Sequence, residues 1–479
     1  MISRSDSVHG VLAGIVAGFC YRVSGPELPL GPLAWVGLSI WAAYVTNPSI
    51  SPYWKVCSAV FTLLGVISRF AWLFQVFPSR GAVTAGLLVL CISLVAINVF
   101  AAYVLRKMTV RGCPMVLSLP FVICAGEIAA ISIFAHTGLS LDTIMLPTTQ
   151  CDTPIFQVAD LGGRTLVSWG ASAIAGILVS LWQRRPSINI MTQRIDRTVQ
   201  AILILTLIYG FVRPFSLVTK PGPNVVLHSE RWSERSLSAP GFSDIDIWPE
   251  TALPVAAGDF DEVSISLSTK CTKSSRTLII GCERLNAENA CILNSAAIFL
   301  PGRDQPQFVD KRHLTPVTEY DMVVCGIWTI GSAEISLRPG MSSPTATLEH
   351  GRHVGIGICY DVCFPEWAKE AAKGTDFLIV LGGEGFTNSQ SAHAQLLAVS
   401  RLRAVESRRS LVRSVDNGYS AIITPAGDVL ECSRDFENIF GSVTTCDAFS
   451  CYHNFGAIPS MIVLAAAPAV YLFLQGKTK

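Results

Sequence analysis

Charge is what this sequence has least of. Only 15% of its 479 residues are Asp, Glu, Lys or Arg, half are apolar, and the mean hydropathy is +0.46. Soluble domains carry about 25% charge, so at least part of this chain belongs in a membrane. Neither sign of charge prevails: the formal net charge is +1, which leaves no electrostatic reason to expect a nucleic acid. Fifteen cysteines are present, yet none forms a C-x-x-C pair or joins histidines at zinc spacing, so no metal is expected. Internal repeats with Gly/Pro-broken spans in matching positions are also missing, which argues against a transporter carrying an outer binding module. At this length one core does not suffice, and at least two domains are expected.

The apolar runs are confined to the two ends. Residues 8–24, 31–47, 56–77, 81–105, 113–136, 165–183 and 198–217 read as candidate spans, and 458–475 as one more. The expected fold is therefore a membrane α-helical bundle of about eight helices plus a soluble α/β domain. Its parts are 1–217, a seven-helix membrane domain; 218–455, the soluble domain; and 456–479, a final membrane helix. The first run is short enough to suggest a signal peptide, but it is expected to be a true span, because no A-x-A site follows it and more spans come directly after. Phe19 before Cys20 is too large for a lipoprotein cleavage site.

Alternate short loops carry Arg4, Lys55, Arg106, Lys107, Arg111, Arg184, Arg185, Arg194, Arg197, Lys477 and Lys479. The opposite loops carry only Arg22, Arg80 and Arg164, the last beside Asp142, Asp152 and Asp160. The positive-inside rule then puts both termini in the cytoplasm and residues 218–455 on the outer side. Disulfides are possible there, for instance among Cys271, Cys282 and Cys291 or between Cys432 and Cys446, although connectivity cannot be read from sequence. Arg69 and Glu127 interrupt the spans. They are either a structural pair orienting two helices or a polar wall for lipid headgroups.

Through 260–425, short β-type runs alternate with turns and helices. "VSISLS" at 263, "TLIIGCERL" at 277, "ACILNSAAIFLP" at 290, "HVGIGICY" at 353, "DFLIVLGG" at 376 and "YSAIITP" at 419 read as strands. "PEWAKEAAKG" starts a helix at Pro365 and closes on Gly374. "SQSAHAQLLAVSRLRAVESRR" places Leu396, Val399, Leu402 and Val405 at helical spacing. This order suggests a layered α/β sandwich.

Three stretches in this domain hold chemistry. "DIDIWPETALP" ends a strand on Trp248-Pro249-Glu250, "FVDKRHLTPVTEY" holds Lys311 and Glu319, and "GIGICYDVCFPE" holds Cys359. Alone each is weak: a glutamate after proline is commonly a solvated turn, a lysine in "DKRH" surface charge, and a cysteine after an apolar run a core residue. Together they are the parts of thiol acyl transfer. A thiol of pKa near 8.5 needs a base or a cation to become a thiolate. A carboxylate can take and return its proton, and a lysine can hold the oxyanion.

Glu, Lys and Cys in this order, within WPE, DKRHL and ICY, resemble the nitrilase superfamily. With the flanking spans, the chain is similar to the bacterial apolipoprotein N-acyltransferase family over nearly its whole length. "NSAAIFLPG" at 294 and "RLRAVESRRSLVRSVDNGYSAIITPAGDVL" at 401 add to the likeness. The resemblance implies an α-β-β-α sandwich with Glu250 as general base, Lys311 as oxyanion stabiliser and Cys359 as nucleophile. Glu319 would be a supporting acid, Trp248, Tyr360 and Asp361 would line or support the site, and Glu384 would stand near the substrate pocket. It implies a ping-pong transfer from a phospholipid, through a Cys359 thioester, to the amine of a diacylglyceryl-cysteine lipoprotein. No cofactor is implied, because the thiol carries the acyl group. A monomer in contact with membrane lipids, in the bacterial inner membrane with a periplasmic catalytic domain, completes the expectation.

Three departures bear on substrate preference. Asp361 stands where the family usually has glutamate, "GGEGFTNSQ" where it reads close to S-N-D-x-W-F, and "PVTEY" where it reads P-F-G-E-Y. A membrane-tethered amidase or nitrilase-type hydrolase, with water resolving the thioester, would use the same three residues and stays open on this reading.

Overall fold

The computed structural model describes residues 4–47, 53–73, 81–183, 190–230, 243–253, 260–286, 291–324, 328–330, 337–434 and 437–476. Arg80, Arg184, Arg185, Lys477 and Lys479, used above for orientation, lie outside the described residues, as does Cys325. The chain divides into two compact units. One is Met1–His136, Leu141–Ser216 and Asn454–Lys479; the other is Thr137–Ser140 with Leu217–His453.

The first unit is helical. The apolar runs become α1 (Arg4–Val23), α2 (Leu33–Thr46), α3 (Trp54–Phe61), α4 (Gly81–Val110), α5 (Met115–Ala135), α6 (Ala159–Gln183), α7 (Ile190–Val212) and a closing helix, Ile458–Gly476. Among the described residues, four stretches are long and apolar enough to cross a membrane: Thr84–Val110, Met115–Ala135, Pro154–Gln183 and Gln193–Val212. That is fewer than the eight spans expected. Val8–Val23, Leu33–Thr46 and Ile458–Leu472 are shorter apolar helices. The 56–77 run is broken, because a π-helical turn (Thr62–Val66) and a 3-10 turn (Ile67–Phe70) follow Phe61.

Between α5 and α6 the chain makes three short 3-10 turns, Asp142–Ile144, Leu146–Gln150 and Pro154–Val158, and nearly all of them is buried. Irregular backbone inside such a unit needs protein partners for its polar groups. The two charges that interrupt the spans supply them. Arg69 donates to the Ile144 carbonyl (2.9 Å), and Glu127 accepts from the Leu146 N–H (2.9 Å) and from Ser168 (2.6 Å). Both side chains thus grip the same segment, which favours the structural reading of Arg69 and Glu127.

The second unit is a sandwich of two six-stranded sheets. The first sheet has the order β14 (Ile439–Cys446), β1 (Thr219–Leu227), β2 (Ile245–Ile247), β3 (Thr277–Asn286), β4 (Cys291–Phe299), β5 (Gln307–Asp310). The second has β13 (Val429–Ser433), β12 (Ser420–Ile423), β11 (Ser410–Asp416), β10 (Phe377–Gly383), β9 (His353–Ile358), β8 (Thr345–Thr347). A hairpin of β6 (Met322–Val324) and β7 (Trp328–Ile330) stands apart. Alternate residues, such as Ile247, Ile279, Ile356, Ile379 and Val412, fill the core between the sheets. Outside the first sheet lies α8 (Phe260–Ser274), on Leu278, Ile280 and Cys282. Outside the second lie α9 (Pro365–Ala371) and α10 (Gln390–Ser407). The layering is α-β-β-α.

One expected strand is a helix. "VSISLS" alternates apolar and polar residues, but it forms the middle of α8. The buried set is Ser264, Leu267, Ser268 and Cys271, at helical spacing, while Ile265 is 63% exposed. Burial therefore follows the 3.6-residue period rather than the period of two. The considered disulfides also do not form, since all described cysteines are free thiols. Cys271, for example, is buried in the helix–sheet interface with its thiol on the Phe299 carbonyl (3.2 Å).

The glycines of "VGIGI" let α9 lie directly on β9. A Cβ at Gly357 would come within 2.4 Å of the Trp367 ring, and one at Gly355 within 2.3 Å of the Ala371 carbonyl oxygen. Arginines then tie the strand ends to α10. Arg403 donates to the Val362 carbonyl (3.0 Å), Arg408 to that of Pro425 (3.0 Å) and Arg409 to that of Thr375 (2.7 Å). The Arg403 bond reaches the turn that follows β9, where Cys359 lies.

Candidate active site

The candidate residues converge just beyond the carboxyl ends of strands: Glu250 after β2, Lys311 after β5, Cys359 after β9. Crevices at strand ends are where α/β sheets hold ligands, because loops there are free to vary over a rigid base. Cys359 opens a 3-10 turn (Cys359–Cys363) with φ +47°, a left-handed conformation that a cysteine adopts only under constraint. The sharp turn lifts its thiol off the strand. Sγ points at the Gly383 carbonyl, 3.8 Å away at the end of β10.

Lys311 is buried and lies between two carboxylates. Its Nζ is 2.8 Å from Glu250 Oε1 and 2.8 Å from Glu319 Oε2. Asn294, on β4, donates to both acids, at 2.7 Å to Glu250 Oε1 and 3.0 Å to Glu319 Oε1. Glu319 also accepts from the Thr315 N–H (2.6 Å). Glu250 Oε2 has no hydrogen-bond partner among the described residues, and it lies against Gly383, where a Cβ would come within 2.4 Å of it. One oxygen of Glu250 is thus anchored, and the other faces the residue whose carbonyl meets the thiol.

The environment drives the two acids apart. Burial raises the pKa of Glu250, and Lys311 only partly opposes this, with Glu319 adding to the rise. Burial acts on Glu319 in the same sense, but Lys311, the Thr315 N–H and Asn294 outweigh it and hold its pKa below the usual value. One acid is thereby poised to exchange a proton while its neighbour stays ionised, a common division between general base and anchor. Burial disfavours a charged Lys311, yet Glu250, Cys359 and Glu319 together raise its pKa well above that of a free lysine. It is a fixed cation. Burial and Glu250 push the Cys359 thiol well up, with Lys311 pulling the other way. The resting thiol keeps its proton and needs the base.

Asp361 joins two of the loops. It accepts from the Ile358 N–H (3.0 Å), the His313 N–H (2.8 Å) and the Arg312 N–H (3.3 Å), and it meets His313 Nδ1 (2.9 Å). The His313 ring stacks on Phe364 at 3.9 Å. The turn bearing Cys359 and the loop bearing Lys311 are therefore held together by one buried carboxylate, which is only 2% exposed. Trp248 is fully buried and stacks on His228 at 3.9 Å, and burial together with Arg276 pushes His228 down to about 4. Neither Trp248 nor Asp361 presents surface to a ligand. Glu384 is likewise only 2% exposed, and it pairs with Arg413. Tyr360 is half-buried, with its hydroxyl accepting from the Ser140 N–H (2.6 Å).

That last contact was absent from the sequence reading. Ser140 also donates its hydroxyl to the Cys363 carbonyl (2.9 Å), and Thr137 accepts from Tyr320 (3.1 Å). The segment Thr137–Ser140 therefore holds both ends of the Cys359 turn, although 219 residues separate Ser140 from Cys359 in the numbering. Asn294, Gly383 and His313 were likewise not singled out. Each nonetheless lies in a stretch quoted from the sequence: Asn294 in "NSAAIFLPG", His313 in "DKRHL" and Gly383 in "GGEGFTNSQ".

Gly383 carries a prediction. Gly383→Ala would drive a methyl group into Glu250 Oε2 while leaving the core of β10 intact. Acylation of Cys359 is expected to slow by about 100-fold, the usual scale for a displacement of about 1 Å in a catalytic group. The melting temperature should move by no more than a few degrees. Intact-protein mass spectrometry and a thermal melt in detergent measure the two effects.

Residues 17–177 match the family model described as Apolipoprotein N-acyltransferase N-terminal domain, and residues 237–444 the one described as Carbon-nitrogen hydrolase. The protein named Apolipoprotein N-acyltransferase in Geobacter metallireducens is 24% identical over 518 aligned residues, covering 98% of this chain and 95% of its own. Its namesake in Azotobacter vinelandii is 23% identical over 481, covering 94% and 92%. Among solved structures, Saccharomyces cerevisiae Nit3, a member of branch 10 of the nitrilase superfamily, aligns with a TM-score of 0.38. The match has 20% identity and covers 50% of this chain and 96% of that one.

Proposed function

The chain belongs to the apolipoprotein N-acyltransferase family, and from that premise we propose a ping-pong acyl transfer centred on Cys359. Glu250 Oε2 takes the thiol proton as Sγ attacks the ester carbonyl of a phospholipid. Lys311 holds the oxyanion that forms. Collapse of that intermediate breaks the ester bond, and Glu250 returns the proton to the leaving alkoxide of the lysophospholipid. In the second half, the amine of a diacylglyceryl-cysteine attacks the thioester through another oxyanion on Lys311. Glu250 takes a proton from the amine, the C–S bond breaks, and Cys359 recovers its thiol. Cys359 acts as nucleophile, Glu250 as base and acid and Lys311 as fixed charge, and the environments described above support those roles.

The observation that carries this reading is the cluster itself, with Lys311 2.8 Å from Glu250 and Glu319 in a unit that shares its chain with spanning helices. A phospholipid donor and a lipid-anchored acceptor both reside in a bilayer. In this reading eight spans hold the enzyme in a bacterial inner membrane, with termini inside and residues 218–455 outside. The basic loops support that orientation. The protein works as a monomer, and the thiol is the acyl carrier.

The experiment combines purified protein, phospholipid labelled in its acyl chain and a diacylated lipopeptide. Labelled amide on the lipopeptide is the expected product. Labelled free fatty acid in its place, at the same rate with and without lipopeptide, would identify a hydrolase and overturn the proposal.

A further inference from the structure

The mechanism above leaves Glu384 unused, although it follows directly on the residue that touches both Cys359 and Glu250. Its N–H donates to Asp416 Oδ1 (2.7 Å), and its side chain forms a buried ion pair with Arg413. Arg413 donates in turn to Ser400 on α10 (2.9 Å). Glu384 Oε2 is buried with no hydrogen-bond partner among the described residues, as is Arg413 Nε. A salt bridge that strands two polar atoms is a poor stabiliser, since burial of unmatched groups offsets most of the attraction. Its retention beside the thiol calls for another role.

We infer that Glu384 is a positioning residue for the acyl transfer, fixing Gly383 against Cys359 Sγ and Glu250 Oε2 through its ion pair with Arg413. This deepens the proposed function and rests on Cys359 being the nucleophile. The geometry leaves Gly383 little freedom. β10 ends there in parallel pairing with Asp416, and the next residue is clamped at its N–H by Asp416 and at its side chain by Arg413. A shift of the Glu384 side chain moves the Gly383 carbonyl, hence the thiol that points at it.

The clamp is also able to titrate. Burial, Asp416 and Glu250 push Glu384 up to about 7, with Arg413 opposing them. The groups that face this region are Arg413 and Asp416 of β11, Glu250 beyond β2, and His393 of α10, whose Nε2 lies 3.0 Å from the Thr387 carbonyl oxygen. Burial lowers the pKa of His393, so it does not supply a competing charge at neutral pH. Below about 7 Glu384 takes up a proton, and Arg413 loses its charged partner.

The test follows two rates across pH in the full-length protein in detergent. One is Cys359 acylation by phospholipid, read by mass spectrometry; the other is Cys359 alkylation by iodoacetamide, which needs no lipid. Both should show an inflection near neutral pH in the wild type. Glu384→Gln should remove the inflection and slow acylation about tenfold or more at high pH, with KM for phospholipid unchanged. Glu384→Asp, which keeps the charge, should retain the inflection. A wild type that acylates without any such inflection, or a Glu384→Gln variant with the wild-type rate and profile, overturns the inference and leaves the proposed function standing. Should Glu384→Gln fail to fold, Glu384→Asp decides, because a clamp one methylene shorter should slow acylation measurably, and an unchanged rate overturns the inference. If Cys359 is alkylated but never acylated in the wild type, the proposed function fails instead, and its premise with it.

Discussion

Cys359→Ala is expected to abolish amide formation to the detection limit while the protein remains folded and membrane-bound. Removing the thiol removes the acyl carrier, so neither half-reaction has a route. The fold should tolerate the change because a Cys→Ala exchange deletes a single sulfur, and it relieves no hydrogen bond shorter than the 3.8 Å contact with Gly383. The φ +47° position adds no further cost, because the strain there comes from a Cβ that cysteine already carries. Cys363 is the control. It is fully buried in the cluster beneath α9 and α10, four residues further on, and Ser140 meets its backbone carbonyl. Cys363→Ala should lose about 1 kcal/mol of stability and keep most of the activity. Retention of more than a few per cent of the wild-type rate by Cys359→Ala would remove the assignment.

Lys311→Ala should slow thioester formation and its breakdown alike, because both pass through an oxyanion. Loss of one such stabilising group typically costs about 3–4 kcal/mol, or two to three decades in rate. A second effect follows from its neighbours. Without the ammonium, Glu250 and Glu319 face each other as buried acids with Asn294 as their shared donor. Breaking a buried pair in this way commonly costs about 3–5 kcal/mol. The sign of the pH dependence is fixed by Glu319, whose folded pKa lies below the ordinary value. Its stabilisation is present above the unfolded pKa of about 4.3 and is lost as pH falls through the folded value. Lys311→Ala removes that contribution, so the gap in melting temperature between wild type and variant should be widest at neutral pH. It should narrow only as pH falls below about 4, through the depressed folded pKa of Glu319. Lys311→Arg should rescue poorly, since a planar fork cannot take the place of a compact ammonium between two carboxylates. Normal acylation in Lys311→Ala would mean the oxyanion is held elsewhere.

The candidate residues with local chemistry stood out in the sequence. Glu250 and Cys359 follow runs that read as strands and Lys311 follows an apolar pair, and the structure brings all three together beyond strand ends. The helix at Pro365 and the strands at 277, 290, 353, 376 and 419 were legible for the same reason: their burial pattern is set by neighbours along the chain. What stayed hidden depends on the third dimension. The alternation in "VSISLS" pointed to a strand until the sheet beneath α8 selected Leu267 and Cys271 for burial and turned Ile265 outward. Arg69 and Glu127 could be seen as costly, but the segment they hold is not marked by any motif. Ser140 and Asn294 are ordinary polar residues, and only folding brings them to Tyr360 and to the two acids. Trp248, Asp361 and Glu384 were singled out from the sequence as candidates to contact a ligand, and the structure buries all three.

The central claim is that Cys359 carries the acyl group between donor and acceptor. The most direct measurement incubates the protein with phospholipid alone, then digests it and determines the mass of the peptide holding Cys359. The account predicts one acyl group in place of the thiol hydrogen, labile to hydroxylamine, and its disappearance on adding diacylated lipopeptide as the amide forms at an equal rate. An unmodified Cys359 peptide under conditions where amide accumulates would contradict it, because the acyl group would then have passed from lipid to amine without the thiol.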